Sequence, residues 1–319
     1  MTATDPKLRT VAPQGKPKQR LGDIVFSRTS LISGSAILAI LAAVAVFLIG
    51  QSIPAFVADP AEFIGSPASF WDYVWPLVFG TLWSASLALV MALPLAVGIA
   101  LFISHYAPRR LAQLLGYIVD LLAAVPSVVF GLWGIGVLAP AVLPAYSWLT
   151  DNLGWIPLFA PPVSGTGRTI LTAAIVLGVM ILPVMTAICR EIFIQTPVLH
   201  EEAALALGAT RWEMITMAVL PFGRPGIISG AMLGLGRALG ETMAVAMVLS
   251  ATGIITINLV SSSNPSTIAA NIALSFPEAY GVNVNLLIAT GLILFIITLV
   301  VNSIARYIVN RRKDFSGAN

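Results

Sequence analysis

Six long apolar stretches, joined by less apolar connections, constrain this chain more than any other feature of its sequence. They cover roughly residues 31–50, 77–103, 114–139, 169–189, 227–251 and 285–306. A helix of about 20 apolar residues crosses the hydrocarbon core of a bilayer. Only 10% of the residues are charged, whereas a soluble domain carries about 25%. The sequence therefore predicts an all-α, polytopic membrane helix bundle with six transmembrane helices.

The basic residues predict the orientation of this bundle. All but two of the seventeen Lys and Arg residues lie in the termini, between 104 and 113, or between 190 and 226. The exceptions are Arg168, in a loop on the other side, and Arg237, inside an apolar stretch. Because basic loops stay in the cytosol, both termini are predicted to be cytosolic. This distribution favours a topogenic role for the basic clusters over nucleic-acid binding.

The apolar stretches also predict the domain organisation. Residues 1–30 form a polar cytosolic tail, 31–50 a transmembrane anchor helix, 75–306 the main transmembrane domain, and 307–319 a basic cytosolic tail. The anchor stretch is too long for a cleaved signal peptide.

Two outer connections carry local signals of structure. The loop 140–168 holds too many prolines and glycines for a regular span, which leaves a re-entrant plug or a cap on the bundle as alternatives. Asn264 followed by Pro265 predicts a short helix from Pro265 to Leu274, with Asn264 as its N-cap.

Two charges inside the fifth apolar stretch, Arg237 and Glu241, are the leading candidates for function. Four residues apart on one helix, their guanidinium and carboxylate can meet. Such charges cost about 2.5–3.5 kcal/mol each on insertion scales, and they usually face the bundle interior or a water-filled path. An oxyanion could compete with Glu241 for the planar fork of Arg237. The alternative is that the two charges merely neutralise each other or bridge to another subunit.

The third apolar stretch holds a second group of candidates for a substrate pathway. Asp120 is a charge in the membrane or at its edge, and Pro126, followed by Ser127, removes a backbone hydrogen bond within the predicted helix. A structural kink with Asp120 at the interface explains the same residues, and the local sequence leaves both open.

Small residues in the fifth stretch predict close helix packing. One stripe recurs every fourth residue and a second follows it; their members are Gly226, Gly230 and Gly234, then Gly236, Gly240 and Ala244. Small side chains let membrane helices approach closely.

A polar loop at 198–221 precedes the fifth stretch. Its residues favour a short helix ended by Gly208 and a second helix capped by Thr210. This segment is either a plain cytosolic hairpin or a docking knob for a cytosolic partner.

This loop resembles the EAA loop of ATP-binding-cassette importer permeases. The matching residues are Glu202, Ala203, Ala204, Gly208, Leu220 and Pro221. The stretches PSVVFGLWG and GRALGET are similar to the phosphate-importer permease of the PstC type, and the similarity covers about residues 75–306. The chain departs from that family at Ala218, where isoleucine is usual, and at His105 and Asp120, where glutamate is usual.

The resemblance implies a MetI-like permease core and a role as the transmembrane subunit of a bacterial inner-membrane importer for inorganic phosphate. It implies that the six matching residues couple the chain to an ATPase. The partners it implies are a second homologous permease, two cytosolic ATPase subunits, an extracytoplasmic phosphate-binding protein and the lipid bilayer. Nucleic acid is not among them.

The sequence offers no means for this chain to hydrolyse ATP. A P-loop needs Gly-Lys followed by Ser or Thr, and lysine occurs only at positions 7, 16, 18 and 313. We therefore expect no catalytic residue, no metal site and no cofactor in this chain, with ATP and magnesium bound by the partner ATPase.

Three other functions are weighed against this one. The same machine could carry another oxyanion or a phosphonate. An ion-coupled secondary transporter would predict inverted repeats, and none is evident. A membrane-embedded enzyme would need a catalytic cluster, but the two histidines both lie near the predicted cytosolic face.

Overall fold

The structure is a computed structural model, and it describes residues 21–313. Within that range the backbone is almost entirely helical, and the only extended pairing is an isolated bridge between Ala251 and Asn264. The helices are α1 (Leu21–Val57), α2 (Phe70–Leu101), α3 (Arg109–Ala123), α4 (Ser127–Trp133), α5 (Ala139–Leu153), α6 (Ile170–Ile194), α7 (Val198–Ala206), α8 (Arg211–Met214), α9 (Leu220–Leu239), α10 (Met243–Val248), α11 (Ile268–Ser275) and α12 (Val282–Lys313). The all-α prediction is confirmed.

The predicted tails lie partly outside the described residues, at 1–20 and 314–319. Residues 21–30, predicted as part of the polar tail, belong to α1. Helix α1 is divided between two compact units: its residues up to Phe47 belong to the first, and those from Leu48 onward belong to the second. The second unit also contains all the other described helices.

Six helical runs are long and apolar enough to cross a membrane, as predicted. They are Gly22–Val57, Phe70–Tyr106, Ser127–Leu153, Ile170–Ile194, Arg211–Leu239 and Val282–Ile308. Three π-helical turns lie within these runs: Phe102–Tyr106 extends α2, Gly134–Leu138 joins α4 to α5, and Ile215–Val219 joins α8 to α9. The predicted number of spans is confirmed, but the third and the fifth have different bounds.

The third span runs over Ser127–Leu153, so the predicted span 114–139 is wrong. The helix ends at Ala123 and restarts at Ser127, because Pro126 has no backbone N–H and disfavours a helical conformation at the residue before it. Hydropathy did not locate this break, since both sides of it are apolar.

The loop predicted at 140–168 is accordingly shorter, because 139–153 is helical. Pro140 and Pro144 both lie within the continuous helical run Ser127–Leu153, and spanning helices tolerate such prolines. The remaining residues 154–169 pair with the segment after α10: Leu259 donates to the Leu158 carbonyl at 2.8 Å, and Ser164 to that of Val260 at 2.8 Å. These bonds favour the cap over the re-entrant plug.

The fifth span is also displaced from its predicted position, 227–251. It covers Arg211–Leu239, and the chain leaves the helix at Gly240 before the short helix α10 begins at Met243.

The predicted outer helix exists as α11, but its start is different. Thr267, not Asn264, is its N-cap and accepts the N–H of Ala270. Asn264 is fully buried and instead joins two segments, accepting the N–H of Ile170 at 3.1 Å and donating to the Ser250 carbonyl at 3.1 Å. The Asn264 side chain therefore links two loops, and the prediction that it caps α11 is wrong.

The core of the second unit is formed where α2 and α9 pack against α6. The first glycine stripe makes this approach possible: Gly226 lies against Ile192, and Gly234 lies against Met185. That packing prediction is confirmed. Of the second stripe, Ala244 packs closely as predicted, since a Cβ added to Gly131 of α4 would lie 3.0 Å from its Cα. Gly236 does not, because an added Cβ there would meet no atom within 4 Å.

Gly80 of α2 lies directly against the backbone of the segment before α11, and it provides a test of the packing between them. A Cβ at Gly80 would clash with the backbone oxygen of Ser266, whereas one at Gly98 on the same helix meets nothing within 4 Å. We expect Gly80→Ala to destabilise the protein by about 1–3 kcal/mol. Gly98→Ala is the matched control and should leave the thermal midpoint of the purified protein unchanged or raise it. Equal midpoints for both variants would contradict this packing.

Candidate functional site

Arg237 and Glu241 do not form the predicted ion pair. Because α9 ends at Leu239, the two residues do not share a helix, and no carboxylate oxygen of residues 21–313 lies within 4.0 Å of the Arg237 guanidinium. Glu241 is only 8% exposed, and its carboxylate accepts the N–H of Ala244 at 3.0 Å. An acidic side chain that satisfies a free N–H in the first turn stabilises a helix start. Glu241 therefore caps α10 and does not hold Arg237.

The cap on α10 can be tested by substitution. Glu241→Gln keeps an oxygen that can accept the Ala244 N–H, whereas Glu241→Leu leaves that buried donor unsatisfied. Glu241 directly precedes the N-cap residue Thr242, and its side chain accepts the hydrogen bond that the Thr242 side chain does not. We expect Glu241→Leu to lower the free energy of unfolding by about 0.5–2 kcal/mol, the usual value of a side-chain cap, and Glu241→Gln to cost less. Thermal unfolding of the purified variants measures both, and a larger loss for Gln than for Leu would contradict the capping role.

Arg237 lines a groove of about 560 Å³ between α9 and α12. Ser229 and Gly236 line it from α9, and Asn302 and Arg306 line it from α12. The remaining lining residues are apolar: Ile228, Met232, Leu233 and Ala305. For the described part of the chain, the groove thus has two guanidinium groups in its wall and no acidic residue.

The electrostatics of this groove favour an anion. An arginine in a spanning helix costs about 2.5–3.5 kcal/mol on insertion scales unless it has a partner or faces water. A guanidinium presents five N–H donors in a fork that matches the oxygens of phosphate or carboxylate. With the amide group of Asn302 also in its lining, the groove can hold a small oxyanion.

Sequence reasoning missed the contribution of α12 to this groove. Arg306 was grouped with the basic tail, and Asn302 was not singled out. The spacing of these two polar residues could have indicated it, because Asn302 and Arg306 lie four residues apart and so share one face of the last apolar helix.

The other predicted pathway residues do not line this groove. Asp120 lies on α3, is 54% exposed, and has an oxygen 3.6 Å from a guanidinium nitrogen of Arg190 at the end of α6. Pro126 and Ser127 form the start of α4. The structure therefore places Asp120 at the end of the bundle that carries Arg109, Arg110, Arg190, Arg211 and Arg224, which we call the basic end.

The loop at the basic end has the predicted local structure. Helix α7 is followed by Gly208, whose φ of +87° lies in the left-handed region. Thr210 then accepts the N–H of Glu213, whose carboxylate accepts the N–H of Thr210 at 2.7 Å. This capping box starts α8.

The loop is seated on the basic end by an apolar cluster. Its buried members come from α2, α6 and the loop itself: Ala100, Leu101, Cys189, Phe193, Ala204, Met214, Ile215 and Val219. The outer face of α7 is different, since Val198, Leu199, Leu205 and Leu207 are exposed, Leu207 by 87%. A group of exposed apolar side chains on a helix that protrudes from the bundle is typical of a surface that a partner covers.

Comparisons with known proteins place this architecture in context. The model of the family described as binding-protein-dependent transport system inner membrane component matches residues 92–314. The phosphate transport system permease protein PstC 2 of Mycobacterium tuberculosis is 46% identical over 310 residues, covering 93% of this chain and 94% of that protein. The PstC of Pasteurella multocida is 35% identical, covering 97% and 98%.

Two solved structures share the fold. A bacterial ABC transporter for the import of the acidic polysaccharide alginate has a TM-score of 0.58 at 18% identity, covering 92% of this chain and 99% of that chain. An inward-facing MetNI methionine ABC transporter has a TM-score of 0.50 at 17% identity, covering 75% and 94%. At these identities the likeness concerns the fold alone.

Proposed function

The chain belongs to the family of binding-protein-dependent transport system inner membrane components, and we propose that it is the permease subunit of an ATP-binding-cassette importer for inorganic phosphate. The family and the six apolar helices make it a multi-pass membrane protein. Relatives named as phosphate transport permeases, with up to 46% identity over most of the chain, support the choice of substrate. The observation that carries the mechanism is the Arg237 guanidinium, which faces a groove without a described carboxylate.

In this proposal phosphate passes along the groove between α9 and α12. Arg237 compensates the charge of the anion in the low-dielectric region, and Arg306 extends the favourable potential along α12. Because the Glu241 carboxylate is hydrogen-bonded at the start of α10, it does not neutralise Arg237 when no substrate is bound. Asp120, Pro126 and Ser127 act at a distance from this contact, through the break that separates α3 from α4.

The energy for transport comes from other chains. Glu202, Ala203, Ala204, Gly208, Leu220 and Pro221 belong to the loop that docks on a cytosolic ATPase, and the exposed leucines of α7 form its contact surface. ATP and magnesium are bound by two such ATPase subunits. A second homologous permease and an extracytoplasmic phosphate-binding protein complete the complex, and this chain needs no cofactor of its own.

The basic end lies in the cytosol of a bacterium, with both termini on that side of the inner membrane. Reporter domains inserted after Arg312 and within residues 154–169 should then report opposite sides. A cytosolic signal from the insertion at 154–169 would refute this orientation.

Reconstitution of the complex tests the function itself. Proteoliposomes containing both permeases, the ATPase and the binding protein should take up labelled phosphate only when ATP is supplied on the ATPase side. Excess unlabelled phosphate should compete fully, and sulfate or methylphosphonate should not. Full competition by either of those anions would assign another substrate, and uptake without ATPase subunits would assign a secondary transporter.

A further inference from the structure

A polar contact at the basic end joins the end of α2 to the docking loop, beside the apolar cluster. His105 lies in the π-helical turn Phe102–Tyr106, and its Nε2 is 3.3 Å from the Oε1 of Glu201 in the first turn of α7. The His105 side chain is 9% exposed and that of Glu201 is 23% exposed. No other described acidic residue lies within 4.0 Å of the imidazole nitrogens.

The second ring nitrogen of His105 is also engaged. Its Nδ1 is 2.6 Å from the hydroxyl oxygen of Ser104. The Ser104 hydroxyl also lies 2.8 Å from the Ala100 carbonyl oxygen of the preceding helical turn.

Both ring nitrogens of His105 are thus engaged, Nε2 by the Glu201 carboxylate of α7 and Nδ1 by Ser104 on the same turn as the imidazole. The imidazole therefore connects the end of α2 to the start of α7.

We propose that His105 is a positioning residue that fixes the angle of the docking loop on α2 through Glu201. The apolar cluster under the loop is non-directional, so it opposes separation of α7 from the bundle better than it opposes rotation. The directional contact between His105 and Glu201, at the start of α7, restrains that rotation. Movement of the loop by the ATPase is then transmitted to α2, and this inference rests on the docking role proposed above.

The test compares coupling in the reconstituted complex, measured as phosphate imported per ATP hydrolysed. His105→Leu removes the donor and Glu201→Ala removes the acceptor, so each should lower this ratio roughly ten-fold, as expected for the loss of one hydrogen bond to a charged group. The double variant should be no worse than either single one, because both remove the same bond. Glu191→Ala is the control, since that exposed carboxylate near the end of α6 is hydrogen-bonded to Gln195 and not to the loop; it should keep the parental ratio.

Two results would overturn the proposal: a parental ratio in both single variants, or losses that add in the double variant. If His105→Leu does not assemble, Glu201→Ala decides alone, because the partly exposed side chain of Glu201 can change without disturbing the core. A parental complex that hydrolyses ATP without importing phosphate would instead contradict the proposed function.

Discussion

Arg237→Gln is expected to abolish ATP-dependent phosphate uptake while the complex still assembles. Glutamine removes the charge that compensates the anion in the groove, and it replaces a five-donor fork by a single amide. Loss of two charge-assisted hydrogen bonds, at about 1.5–3 kcal/mol each, lowers a rate by roughly a hundred-fold or more. Initial rates of labelled phosphate uptake into proteoliposomes measure this effect.

Two further substitutions separate the role of Arg237 from a general effect of charge. Arg237→Lys keeps the charge but loses the fork, so its uptake should fall between that of the parent and that of Arg237→Gln. Arg224→Gln removes an exposed arginine from the same helix, away from the groove, and should retain uptake. Parental uptake by an assembled Arg237→Gln complex would mean that this arginine is only structural.

Gly208→Val is expected to leave the protein inserted but to uncouple it from the ATPase. Gly208 has a φ of +87°, which costs a β-branched residue at least about 1–2 kcal/mol. A Cβ at this position would meet no atom within 4 Å, so the expected loss arises from the backbone conformation and not from a clash. Valine would turn the chain differently between α7 and α8 and displace the docking surface. Phosphate-stimulated ATP hydrolysis and uptake, measured in one preparation, should both fall toward background.

Gly208→Asn provides the matched control for this turn. Asparagine tolerates the left-handed region better than other residues with a side chain, so this variant should retain most of the coupling. Full coupling in Gly208→Val would show that the geometry of the turn is not required. Equal losses in both variants would show that the side chain, and not the backbone, is responsible.

The features that sequence reasoning predicted well depend on neighbouring residues. The number of spans follows from the length and hydrophobicity of each run. The turn at Gly208 and the cap at Thr210 each depend on residue preferences within one helical turn. The approach of α9 to α6 was also visible, because Gly226 and Gly234 lie on one helix face.

The errors occurred where two signals competed or where distant segments meet. Pro126 lies between two apolar runs, and hydropathy alone joined them into one span. Glu241 could pair with Arg237 or cap a new helix, and the break at Gly240 decided for the cap. The groove around Arg237 needs Arg306 from α12, and no local pattern indicates that these two helices adjoin.

The passage of phosphate along this groove can be measured most directly by protection of a cysteine within it. Cys189, the only cysteine, is first replaced by alanine, and Ser229→Cys is introduced in the groove, with Ser303→Cys, outside its lining, as the control. During ATP-driven turnover, phosphate should slow modification of the cysteine at 229 by a charged thiol reagent, while sulfate should not, and the cysteine at 303 should react equally throughout. Unchanged modification at 229 in a complex that imports phosphate at the parental rate would contradict a path through the groove between α9 and α12.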